Sequence, residues 1–185
     1  NGNAAIITLN RPTNLNALNY EMIISIEECL KNINKNKNIK LVIFKGEGDK
    51  AFCAGGDVKS FYEENLTNIN KLRKNFFYRE YKLNYLIKKY KKPIISFVNG
   101  ICMGGGVGIA MHSSIVVVSE NVKFAMPECT IGLFPDVGSS NFLSKLKSNI
   151  GLYIALTGKR LVSGDLIELG LANYCVSRNN FKSLE

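Results

Sequence analysis

The chain has 185 residues, 46% of them apolar and 21% charged, enough for one domain with a real core. No apolar run approaches a membrane span, and five scattered cysteines with a single histidine argue against a disulfide framework or a zinc site and for a reducing compartment. The net charge of +9 comes from lysines interleaved with asparagines, as in "KNINKNKNIK", which reads as a solvated basic surface ahead of a nucleic-acid-binding arm.

"AAIITLN" (4–10) is a β-rich run that ends at Arg11-Pro12, where the restriction before proline forces a turn; no leader peptide is visible ahead of it. Residues 18–33 place Met22, Ile23, Ile26, Cys29, Leu30 and Ile33 at helical spacing, with acids early and lysine late. "IKLVIFKG" (39–46) has the look of a buried strand, and "EGDKAFCAGGD" (47–57) of a glycine-bearing loop. An amphipathic helix is expected over 68–90, then a strand at "PIISFV" (93–98) and a glycine cluster at "NGICMGGGVGIAMH" (99–112). Strands "SIVVVS" (114–119) and "VKFAMPE" (122–128) follow, with helices over 138–146, 150–157 and 163–169 and a last strand near "NYCV" (173–176). Strands alternate with helices and no linker divides them, so the class is α/β and residues 1–185 form a single domain. The closing "FKSLE" has no cap, and both ends read as cut from a longer chain.

The five glycines of 99–112 allow three uses: cradling a phosphate, packing a helix on a sheet, or aiming N–H groups at a reacting atom. The phosphate loop needs a lysine followed by serine or threonine, which is missing, and the dinucleotide fingerprint fails on its final spacing. What remains is a strand, a tight turn and a helix starting near Gly105, with free N–H groups at its positive end. A second glycine loop, "AFCAGGD", follows another strand, and two such loops can each give one N–H to a single oxygen, forming an oxyanion hole for an acyl group. His112 lies past the glycines and reads as packed; Cys53 and Cys102 flank the proposed hole with no base nearby and read as apolar fillers.

"LNRPTNLNAL", "KAFCAGGD", "PIISFVNGICMGGGVGIAMHSSIVVVSE", "FAMPECTIGLFPDVGSS" and "ALTGKRL", in this order and spacing, resemble the crotonase (enoyl-CoA hydratase/isomerase) superfamily over nearly the whole chain. The resemblance implies a spiral of ββα units whose C-terminal helical part is truncated here, and an acyl-CoA substrate polarised by the N–H groups of Gly56 and Gly105. It further implies CoA contacts along Ala54 to Asp57, no metal, and no cofactor beyond the CoA of the substrate. Hydratases of the family carry a glutamate where this chain has Gly108, so the hydratase acid–base pair is incomplete.

"GGGVG", "FAMPE" and "GLFPDVG" are similar to the 3-hydroxyisobutyryl-CoA hydrolase branch of valine catabolism. By that resemblance Glu128 is nucleophile or base, while Asp136 and Glu80 bind the 3-hydroxyl or tune Glu128. Read without it, Asp136 is a turn residue and Glu80 a surface salt bridge. Two departures are Arg79, where the branch has an acid, and "DVGSSN", which is poorer in glycine. The branch implies a mitochondrial location, with cytoplasm and peroxisome as alternatives, no membrane, and an oligomeric state left open. The competing readings are an enoyl-CoA isomerase and a non-catalytic RNA-binding crotonase.

Overall fold

The computed structural model describes residues 2–59 and 72–184. Strand β1 (Ala4–Leu9) leads through a stitched loop to helix α1 (Tyr20–Lys35), then to β2 (Leu41–Gly46) and β3 (Ala51–Cys53). A π-helical turn at Leu72–Phe77 runs into α2 (Tyr78–Lys88), followed by β4 (Ile94–Val98), β5 (Ile101–Met103) and α3 (Gly105–Met111). The chain continues as β6 (Ile115–Ser119), β7 (Lys123–Ala125), a 3₁₀ turn at Glu128–Ile131 and α4 (Ser139–Leu143). It then forms α5 (Ile150–Thr157), α6 (Ser163–Glu168), β8 (Tyr174–Val176) and α7 (Phe181–Leu184).

Two parallel sheets result, one ordered β1-β2-β4-β6-β8 and the other β3-β5-β7. The chain repeats a unit of one long strand, one short strand and a helix: β2-β3-α2, then β4-β5-α3, so each pass lays one strand in each sheet. Strands covered on both faces need apolar residues throughout, which is why "LVIF" and "IVVV" show no polar alternation. The period of two still sorts them: Val42 and Phe44 enter the main core, whereas Ile43 joins Phe97 and Val117 on the far face. Phe181 closes that face, its ring centroid 5.4 Å from that of Phe97.

Helix α1 starts two residues later than expected because Asn19 caps it, its side chain accepting the Met22 N–H at 3.0 Å. The stretch expected as loop at 47–57 contains β3, and the glycine cluster contains β5; both strands have three residues and pair at Ala51↔Ile101 and Cys53↔Cys102. Of the helix expected over 68–90, residues 68–71 lie outside the described residues. The strand expected over 122–128 ends at Ala125, and the helix expected over 138–146 at Leu143, where Lys145 and Leu146 bond back three residues as turns.

Candidate active site

The "RPTNLNAL" segment holds the first glycine loop in place. Arg11 donates to the Ala17 carbonyl at 2.8 Å and pairs with Asp57 at 2.9 Å, while buried Asn16 donates to the Ala51 carbonyl at 2.8 Å. Leu18 then bridges Gly56, with the Leu18 N–H on the Gly55 carbonyl and the Asp57 N–H on the Leu18 carbonyl. The Ala54 N–H is likewise engaged, on the Leu15 carbonyl. The N–H of Gly56 is left without an acceptor among the described residues.

The second loop turns at Gly104, whose φ of 48° and ψ of −118° suit only a residue without a Cβ; a Cβ there would also stand 3.0 Å from Glu128 Oε1. Helix α3 then begins with Gly105, whose N–H is one of the unpaired donors of a helix start. A Cβ on Gly106 would meet the Cys53 backbone and stand 2.8 Å from the Cys53 Cβ, so the missing side chain is what lets α3 lie against β3. That contact brings the two loops together: an ideal Cβ on Gly105 would lie 3.5 Å from the Gly56 nitrogen.

Both loops open on a cavity of about 300 Å³ lined by Ala54, Gly56 and Gly105, by the carboxyl residues Glu80, Glu128 and Asp136, and by Phe76, Phe77, Ile131 and Leu133 as apolar wall. Glu128 stands at the start of the 3₁₀ turn, buried, with Oε2 unpartnered among the described residues. Burial raises its carboxyl to about 7; the charge of Asp136 adds to this, and its own backbone N–H works against it. Burial also raises Asp136, opposed by the Tyr81 hydroxyl, which donates to Oδ2 at 2.6 Å, and by its own backbone N–H.

Glu80 is 3% exposed, and its Oε1 has no partner among the described residues. Burial, then the charges of Asp136 and Glu128, push its carboxyl up to about 8. The surface salt bridge considered for Glu80 is thereby overturned: its face of α2 also carries Leu83, Asn84 and Ile87, all buried. The sequence held that signal in the spacing of these four residues. Arg79 instead turns to α1, 3.4 Å from Glu27, whose carboxyl the hydrogen bond from Lys31 holds below its usual value.

Asp57 is not among the residues that line the cavity; its carboxylate pairs with Arg11 and secures the loop whose backbone runs from Ala54 to Asp57. Cys53 and Cys102 are fully buried, and burial pushes the Cys53 thiol up to about 12, so neither is a thiolate. At Gly108 a Cβ would stand 2.7 Å from the Val137 Cβ and 2.9 Å from Asn84 Oδ1, so the place of the hydratase glutamate is already filled. Tyr81 was not foreseen: nothing in the sequence marks a hydrogen bond to a residue 55 positions away. Among the described residues no group of three His, Cys, Asp or Glu is placed to hold a metal, and no helix is long and apolar enough to cross a membrane.

Two parallel sheets wound from ββα passes, with a pair of backbone donors lining the same cavity as buried carboxyl groups, define a protein of the crotonase fold. A family model described as enoyl-CoA hydratase/isomerase matches residues 4–185, and the chain belongs to that family. The mitochondrial 3-hydroxyisobutyryl-CoA hydrolase of Danio rerio is 47% identical over 184 residues, covering 100% of this chain and 48% of the relative. The 3-hydroxyisobutyryl-CoA hydrolase 1 of Arabidopsis thaliana is 44% identical over 180 residues, covering 97% of this chain and 47% of its own length. The chain thus spans about half the length of the curated relatives it matches. Among solved structures, an enoyl-CoA hydratase from Rhodobacter sphaeroides superposes with a TM-score of 0.94 at 37% identity, covering 98% of this chain and 54% of the other.

Proposed function

We propose that this chain carries the reaction centre of an acyl-CoA thioester hydrolase acting on 3-hydroxyisobutyryl-CoA. One observation carries the reading: Glu128 lines the same cavity as Gly56 and Gly105, while Gly108 leaves no room for the second carboxylate that hydration requires. The thioester oxygen sits between the two N–H groups, which stabilise the negative charge it gains when the carbonyl carbon is attacked. Glu128 in its carboxylate form is the attacker, giving a mixed anhydride that water then cleaves, or the base that takes a proton from attacking water. In both routes the C–S bond breaks, CoA leaves as a thiolate that takes up a proton, and the acyl group ends as a free acid.

A carboxyl raised to about 7 suits the base role at neutral pH. Asp136 accepts the 3-hydroxyl of the substrate, and Glu80, still largely protonated at neutral pH, offers an O–H beside the hole. CoA arrives as part of the substrate, bound along Ala54 to Gly56, and this chemistry draws on neither a metal nor a separate cofactor. A mitochondrial location is proposed on the strength of relatives named so. The test is thiol release from 3-hydroxyisobutyryl-CoA beside hydration of crotonyl-CoA, using the whole protein. Hydrolysis with negligible hydration is the expected result. Hydration at an enzyme's usual rate, about 1–10³ per second, overturns the reading.

A further inference from the structure

Asp136 is followed by Val137, whose φ of 45° lies in the left-handed region, where a β-branched residue is an outlier. Such a backbone persists only where its surroundings over-determine it. Here three consecutive carbonyls are tied: Pro135 accepts from Ser139 Oγ at 2.9 Å, Asp136 from the Ser139 N–H at 2.8 Å, and Val137 from His112 Nε2 at 2.8 Å. The His112 bond is buried and arrives from α3, where His112 is the last, capping residue. Two glycines clear its way. A Cβ on Gly138 would stand 2.6 Å from His112 Nε2, and Gly108 leaves the space that the Val137 side chain fills.

One short helix therefore does two things: its first residue, Gly105, presents a donor to the cavity, and its cap grips the loop that carries Asp136. We infer that His112, protonated on Nε2, is a positioning residue for Asp136, holding the strained turn that aims the carboxyl into the cavity. Burial, together with the charge of Lys88, depresses the imidazolium and keeps the ring neutral against the pull of the Val137 carbonyl. A neutral ring carries one proton, and the carbonyl acceptor places it on Nε2; Nδ1 has no partner among the described residues. The inference rests on the hydrolase reading, in which Asp136 meets the substrate hydroxyl.

The test joins a kinetic cycle to a measurement that needs no substrate. His112→Leu removes the donor, and His112→Gln returns an amide N–H near the Nε2 position. On 3-hydroxyisobutyryl-CoA, His112→Leu is expected to lower kcat/KM by about tenfold, with His112→Gln recovering most of it. In an Asp136→Ala background the same His112→Leu change should have no further effect, because contacting residues in one chain of action are not additive. The ring nitrogens of His112 are assigned by ¹⁵N spectroscopy of the whole protein as the histidine signals that disappear in His112→Gln; His112 is the one histidine of the 185 residues. A slowly exchanging Nε2 proton is expected at neutral pH. A ring protonated on Nδ1, or equal His112→Leu losses in both backgrounds, overturns the inference and leaves the hydrolase reading standing. An Asp136→Ala variant with undiminished hydrolysis overturns the reading of the site, and the inference with it, even if the Nε2 proton is found.

Discussion

The part of the cavity lining at Gly56 and Gly105 is main chain, whereas another part is made of carboxyl groups from α2, the 3₁₀ turn and the loop before α4. The first has no titratable atom, and its geometry depends on side chains being absent, above all at Gly106. The second is titratable throughout, and its members are linked: the charge of Asp136 raises both Glu80 and Glu128, and that of Glu128 raises Glu80. A backbone site is fixed by the fold and fails with it. A carboxyl site can be edited one group at a time, and it answers to pH.

The largest expected effect sharpens this contrast. Glu128→Ala removes the attacker and leaves the donors, so kcat should fall by about 10²–10⁴ while the melting temperature stays level or rises. Gly106→Ala strikes the main-chain part by driving a Cβ into the Cys53 backbone and parting the two loops. Loss of one donor is worth about 10²–10³ in kcat, and here the melting temperature should fall as well. A Gly106→Ala protein with normal stability and no activity would break the comparison.

A smaller effect separates the carboxyl groups. Asp136→Ala leaves a substrate hydroxyl unpaired, at a cost of about 1–3 kcal/mol, so kcat/KM should fall mainly for 3-hydroxyisobutyryl-CoA and little for isobutyryl-CoA. Equal losses on the two substrates would make Asp136 a tuner of Glu128 instead.

The last effect is read in stability. The Glu80 carboxyl moves from 4.5 to about 8 on folding, so the folded chain holds its proton longer than the unfolded one. Stability from this group is therefore whole below the unfolded value and is lost as pH rises through the folded one. Glu80→Gln stays neutral, so its melting temperature should match the parent near about pH 5 and exceed it near about pH 9, by roughly 2–4 °C per kcal/mol relieved. In rate, ionisation of Glu128 sets an acid limb near about 7, and loss of the Glu80 proton an alkaline limb near about 8, both apparent values belonging to the coupled set. The alkaline limb should vanish in Glu80→Gln.

Much of this was legible in the chain. Long strands such as Leu41–Gly46 and Ile94–Val98 announce themselves as apolar runs, and the paired glycine loops foretell two donors brought to one place. Strands β3 and β5 do not, because three residues between glycines carry no period to read. The burial of Glu80 was available from its place on the apolar face of α2, but a charged residue is easily taken for surface. The hydrogen bonds of Tyr81 to Asp136 and of His112 to Val137 span loops far apart in sequence, and only the fold brings them together.

The crowding at Gly108 bears on ancestry and design. Hydratases of the family keep a glutamate at that place, but here the side chains of Val137 and Asn84 already occupy the volume it would need. A Gly108→Glu replacement alone therefore meets a blocked position, and the route between the two chemistries must first make room at 137 or 84. The order of substitutions matters more than their number: an intermediate with a smaller residue at 137 could accept the second carboxylate, whereas the reverse order passes through a chain that packs poorly. On the proposed hydrolase reading, the arrangement is in that sense a ratchet, easier to enter than to leave.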